Sequence, residues 1–235
     1  MPKSQATILI VDDDRESRNS YELLARAAGF QVKPVLGPVR GVPQLLEAAK
    51  TAKAQFALCD HRLSEGHYAR FDGAEAVARL NQAHLPSVLT TRYQRSDVDT
   101  SIRPWRRWIP RLVASSALSP FVLQEACEAC RREVVNYVVP IERRGCRVVL
   151  TVKDVVPKAN EKVVKVVITQ WNPREQVGFP LSMMPLRLRQ HVDIGEFLLA
   201  TVNTAAESPD DLFFEDFEIP HPDDVKAVRA QFGGR

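Results

Sequence analysis

No apolar run in this chain of 235 residues is long enough to span a bilayer. Its opening residues, Met1-Pro2-Lys3-Ser4-Gln5-Ala6, lack the charged and apolar regions of a secretory signal. These two absences argue against a membrane partner and make the cytoplasm the expected location. Cysteine is scarce, at four residues, which suits a reducing compartment. Cys127 and Cys130 form one Cys-x-x-Cys pair, but no second pair completes a zinc site. Two small buried residues one helical turn apart is the simpler reading. What is present is a globular composition, 45% hydrophobic and 26% charged, in a length that suits one large domain or two small ones.

The formal net charge of +3 is unevenly spread. Residues 1–139 carry 19 Lys and Arg against 15 Asp and Glu, whereas residues 140–235 carry 13 against 14. The excess is concentrated in Arg92, Arg95, Arg103, Arg106, Arg107 and Arg111, and an acidic segment runs from Glu207 to Glu218. Each is a candidate contact surface, and the acidic segment is expected to dock on the arginines in one state.

The rest of the chain is organised around Ile8-Leu9-Ile10-Val11-Asp12-Asp13-Asp14. Four consecutive branched aliphatics read as a central strand of a parallel sheet, covered on both faces. Three acids follow at its carboxyl end, where open α/β sheets place their chemistry and where adjacent carboxylates repel unless a hard cation lies between them. The alternative is an acidic turn that caps a helix beginning near Arg15. Apolar or small positions at Tyr21, Leu24, Ala25 and Ala28 give that helix one buried face, and Gly29 ends it. An edge strand is expected at Gln31–Leu36, because Pro34 cannot donate to a ladder. A second helix, Val42–Ala52, leads to the buried run Phe56-Ala57-Leu58-Cys59, which also ends in a carboxylate, Asp60. Neighbouring parallel strands end on the same side, so Asp12, Asp13 and Asp60 converge on one pocket. Such a group suits magnesium with room left for water and a phosphoryl group, and lets one carboxylate act as nucleophile.

The order of these residues resembles the receiver domain of bacterial two-component response regulators, over roughly Thr7 to Val139. Asp12 and Asp13 stand at the family's magnesium-binding pair and Asp60 at its phosphoaccepting aspartate. Phe71-Asp72-Gly73-Ala74-Glu75 is similar to the family's entry to the third helix. Leu85-Pro86-Ser87-Val88-Leu89-Thr90-Thr91 is similar to its fourth strand, and five residues on from Pro86 selects Thr91 as the hydroxyl switch, with Thr90 as the rival. Aligning aromatic to aromatic in Trp108-Ile109-Pro110-Arg111-Leu112 puts Trp108 at the switch aromatic of the fifth strand and Arg111 at the family's lysine. The resemblance implies a flavodoxin-like, five-stranded doubly wound parallel sheet, Mg2+, and a histidine kinase or phosphotransfer protein as partner.

Departures accompany the matches. Glu65–Arg70 reads as an insertion flanked by His61 and His67, which are expected to be solvated loop residues. Arg92 stands next to the switch hydroxyl, where its bulk would restrict small phosphodonors or its charge would hold a phosphoryl group. Arg at the lysine position keeps the charge but has a different shape and reach. Ser96–Trp105 lacks apolar periodicity and is broken by Pro104, so the fourth helix is expected to be short or irregular. Arg103, Trp105, Arg106 and Arg107 fall on the family's signalling face, which would bind a protein partner or the chain's own second domain. A long helix is expected from Ser119-Pro120 through Tyr137 and Val138 to Pro140, and it leaves a homodimer open.

From Pro140 the pattern changes. Strands are expected at Arg147–Val156, Lys162–Trp171, Gln176–Leu181, Phe197–Asn203 and Leu212–Ile219, with a helix at Asp223–Phe232, giving a small β-rich barrel or sandwich. The expected domains are therefore residues 1–139 and 140–235. The second has no metal spacing, phosphate loop or Ser/His/Asp constellation, and no room for helix-turn-helix elements. Its net acidity and few strand aromatics argue against nucleic acid. The function expected is a response regulator rather than an enzyme, with a phosphorylation-independent interaction scaffold as the competing class.

Overall fold

The computed structural model describes residues 5–64, 67–92, 97–158 and 161–221. They form two compact units, one within 1–94 and 105–140, the other within 95–104 and 141–235. The expected helix at 223–232 lies outside the described residues.

The first unit is a parallel sheet of β1 (Thr7–Val11), β2 (Gln31–Pro34), β3 (Phe56–Asp60), β4 (Ser87–Thr91) and β5 (Leu112–Ala114), in the order β2-β1-β3-β4-β5. This is the doubly wound order of flavodoxin-like sheets. Four helices flank it: α1 (Arg15–Ala27), α2 (Val42–Ala52), α3 (Gly73–Gln82) and α4 (Pro120–Val134). Every residue of β1 is buried, as a strand covered on both faces requires. Ile8, Ile10, Leu58 and Val88 pack with Leu123, Ala126, Cys127 and Cys130 of α4 in one cluster, each large aliphatic contributing about 1.5–3 kcal/mol. Cys127 and Cys130 are thus small core residues. At the sheet edge, Pro34 pairs with Ile10 and closes β2.

One helical expectation changes. α4 stops at Val134 instead of running to Pro140, because Tyr137 turns to a φ of 58° and the Val138 N–H folds back to the Arg132 carbonyl. The fourth helix is short and irregular, as expected: a single π-helical turn, Val98–Ile102, and a 3-10 helix, Arg103–Trp108. Pro104 removes the N–H that an α-helical ladder would need there.

The second unit is an open antiparallel sheet of β6 (Cys146–Lys158), β7 (Glu161–Ile168), β8 (Asn172–Pro180), β9 (Phe197–Val202) and β10 (Phe214–Glu218), ordered β10-β9-β6-β7-β8. The strands fall where alternation placed them, but β8 and β10 are edges and the sheet does not close into a barrel. Its core joins Val148, Leu150, Val164, Val166, Phe179, Leu198 and Phe214 with Met184, Leu188 and Val192 from the β8–β9 connection. The turn Val98–Ile102 packs on β7 and β8, with Val98 and Ile102 buried. Among the described residues no helix is long and apolar enough to cross a membrane.

Candidate functional site

Strand register brings the acids together. Val11 pairs with Cys59 and Asp60 with Thr90, so β1, β3 and β4 end at one rim and Asp12, Asp13 and Asp60 follow onto it. The acidic run divides its work. Asp14 caps α1 by accepting from the Ser17 N–H at 2.7 Å, while Asp12 and Asp13 are left for the cleft. Asp60 Oδ2 accepts from the Arg62 N–H at 2.8 Å. The Asp72-Gly73 entry to α3 has a steric reason: a Cβ on Gly73 would lie 1.8 Å from the Asp60 carbonyl oxygen. Only glycine lets α3 start against the end of β3.

The cleft has a volume of about 610 Å³ and is lined by Asp12, Asp13, Asp14, Glu16 and Asp60, by Arg62 and Arg92, and by Ser17, Thr91, Ser115 and Ser116 among others. Asp12 is 1% exposed, and one of its oxygens, Oδ2, has no hydrogen-bond partner. The other accepts from the Asp14 N–H at 2.8 Å. Burial and then the Asp60 charge push the Asp12 carboxyl up to about 7. Burial likewise raises Asp60, to about 6, with Asp13 adding repulsion and the Arg62 N–H and the Arg92 charge opposing it. Asp12 and Asp60 therefore titrate as a pair, each raising the cost of charging the other. Among the described residues, no three His, Cys, Asp or Glu side chains form a ready-made metal cage. Magnesium keeps several waters and takes only one or two carboxylates. A buried, unbonded carboxylate oxygen beside a second acid fits that demand.

Thr91 lines the cleft, whereas Thr90, opposite Asp60 in the sheet, does not. Arg92 donates from Nη2 to Ser17 Oγ on α1. Arg111 and Trp108 are not brought to the site. β5 begins at Leu112, with Ala114 opposite Thr91, so Arg111 sits exposed before the strand's first residue, and its carbonyl accepts from the Leu89 N–H. Trp108 ends the 3-10 helix and is 44% exposed. Ser115 instead follows the strand's last residue and lines the cleft. Sequence reading missed Ser115 because it set the fifth strand four residues too early, and Ser17 because it read α1 for its apolar positions. His61 also departs from expectation. It is 2% exposed, its main chain bonded to Thr90 O and from Gly73 N, while His67 is exposed.

The arginine-rich segment is not a free basic face. Trp105 is half-buried under Arg79, 5.2 Å from the guanidinium to the ring centroid, and Arg107 lies over Trp108 at 5.6 Å. Arg106 is buried and donates to the Ile109 carbonyl. Arg103, 1% exposed, belongs to the second unit. It donates to the carbonyls of Gly178 (3.0 Å), Pro209 (2.9 Å) and Leu212 (2.6 Å), and pairs with Asp99 at 3.0 Å. Lys165 completes the group by pairing with Asp99. Arg103 therefore meets the acidic Glu207–Glu218 segment through main-chain oxygens.

The chain matches no protein-family model and no curated protein. Among solved structures it is similar to a response regulator receiver domain protein from Clostridium thermocellum, at 12% identity over 57% of this chain and 99% of that one, with a TM-score of 0.43. It is similar also to the receiver domain of NtrX from Brucella abortus, at 16% identity over 53% and 98%, with a TM-score of 0.42. A third is the N-terminal signal receiver domain of a two-component response regulator from Bacteroides fragilis, at 21% identity over 54% and 98%, with a TM-score of 0.42.

Proposed function

We propose that the first unit is a phosphoacceptor module: Asp60 takes a phosphoryl group from an N-phosphorylated imidazole on a histidine kinase or phosphotransfer protein, and the second unit transmits the result to a protein partner. The observation that carries this reading is the buried Asp12 oxygen without a partner, in the same cleft as Asp60 and Thr91. Asp12, Asp13 and Asp60 would hold magnesium, which when bound neutralises charge on the incoming phosphoryl oxygens. An Asp60 oxygen attacks phosphorus, the O–P bond forms as the P–N bond breaks, and the imidazole leaves with a proton from solvent. The Arg62 N–H fixes the Asp60 carboxylate during this exchange. The Thr91 hydroxyl then donates to a phosphoryl oxygen.

One observation favours the second reading, a scaffold that binds partners without phosphorylation: among the described residues no lysine lines the cleft, and Arg111 lies outside it. The two readings separate in a tryptophan-fluorescence titration of the whole chain with magnesium and then beryllofluoride. A saturable response that beryllofluoride extends and Asp60→Asn abolishes supports the acceptor. An identical trace from the wild type and Asp60→Asn supports the scaffold.

A further inference from the structure

The cleft is short of positive charge for the task assigned to it. Five carboxylates line it against two guanidiniums, those of Arg62 and Arg92. A phosphoryl group on Asp60 would carry close to two negative charges in place of the carboxylate's one, and would present three acceptor oxygens. Arg62 is engaged with Asp60 through its main-chain N–H. Arg92 follows Thr91 directly at the end of β4, and its guanidinium reaches across the mouth of the cleft to Ser17 Oγ on α1. Arg92 is also the cation whose field reaches both Asp60 and Asp14. Its contact with Ser17 is to a neutral hydroxyl, which brings no negative charge to meet the guanidinium's, as phosphoryl oxygens would.

We propose that Arg92 is the cationic ligand of the phosphoryl group, its guanidinium exchanging Ser17 Oγ for phosphoryl oxygens when Asp60 is modified. This rests on Asp60 being the acceptor. A guanidinium presents parallel donors to two oxygens of a tetrahedral anion, which a hydroxyl such as Ser115 cannot do. The same charge works against the divalent cation, because like charges a few ångströms apart repel. Arg92 thus has opposite effects on the two ligands of one cleft, and no purely structural role predicts that combination.

Calorimetric titration of the whole chain, first with magnesium chloride and then with beryllofluoride in saturating magnesium, reads both effects. Arg92→Ala should bind beryllofluoride at least about tenfold more weakly and magnesium about threefold more tightly than the wild type. Arg92→Lys should recover part of the beryllofluoride affinity, since it keeps the charge without the fork. Ser17→Ala should bind beryllofluoride at least as tightly as the wild type, the resting contact being lost. The inference is overturned if Arg92→Ala binds beryllofluoride like the wild type, or if it loses both ligands together. A wild type that takes up no beryllofluoride beyond Asp60→Asn overturns the acceptor reading itself.

Discussion

At Asp12 the chain buries a carboxylate oxygen without a donor and surrounds it with acids, which costs stability unless a proton or a cation joins it. The consequence for pH follows from the direction of the shifts. Asp12 and Asp60 are raised when folded, so the neutral forms favour the native state. Their contribution is full below their unfolded values near 3.8 and is lost as pH rises through about 6 and about 7. In chelator, the melting temperature of the first unit should fall across that window, and saturating magnesium should flatten the fall. Asp12→Asn should flatten it without metal and weaken the magnesium response. Gly73→Ala presses a methyl group into the Asp60 carbonyl and should cost about 2–4 kcal/mol by urea unfolding. Both residues were legible in the sequence, the acid by its place after a buried run, the glycine by the resemblance of Phe71-Asp72-Gly73-Ala74-Glu75 to a family's helix entry. The burial of His61 was not, since it depends on main-chain bonds to β4 and α3 made far along the chain.

At the scale of elements, legibility followed how local the determining interaction is. β1 and β3 announce themselves as continuous apolar runs ending in acids, and β6 and β7 as partly alternating runs rich in Val. β5 does not. Trp108-Ile109 has strand composition, yet the Ile109 N–H is bonded to the Arg106 carbonyl and Pro110 has none, so pairing with β4 waits until Leu112. The segment Val98–Trp108 was harder still, because its role is set by groups more than sixty positions away. Arg103 satisfies three carbonyls of the second unit, and Gly178 leaves room for Asp99, which would sit 2.6 Å from a Cβ there. Arg103→Ala strips those acceptors and leaves Asp99 less compensated, so urea unfolding should show a loss of about 3–5 kcal/mol in the second unit. A fragment comprising residues 141–221 should melt less cooperatively than one to which residues 97–104 are rejoined, as circular dichroism would show.

For the whole molecule, the two units should respond to pH with opposite sign. Burial alone would raise Asp99, but Lys165 and Arg103 outweigh it and hold its carboxyl below the ordinary value. Its contribution is present above the unfolded value and lost as pH falls through the folded one, so the second unit weakens in acid while the metal-free first unit weakens as pH rises. Calorimetric scans at pH about 3 and about 8 should therefore show the second unit's melting temperature rising relative to the first's as pH increases. What the sequence could not convey is this division of the chain, in which residues between β4 and β5 belong with the β-rich unit. The central claim, that Asp60 is a phosphoryl acceptor, is tested most directly by intact and peptide mass after incubation with acetyl phosphate and magnesium. One added phosphoryl group on the peptide containing Asp60, acid-stable, base-labile and absent in chelator and in Asp60→Asn, is the predicted result. An unmodified chain, or the same modification in Asp60→Asn, would contradict it.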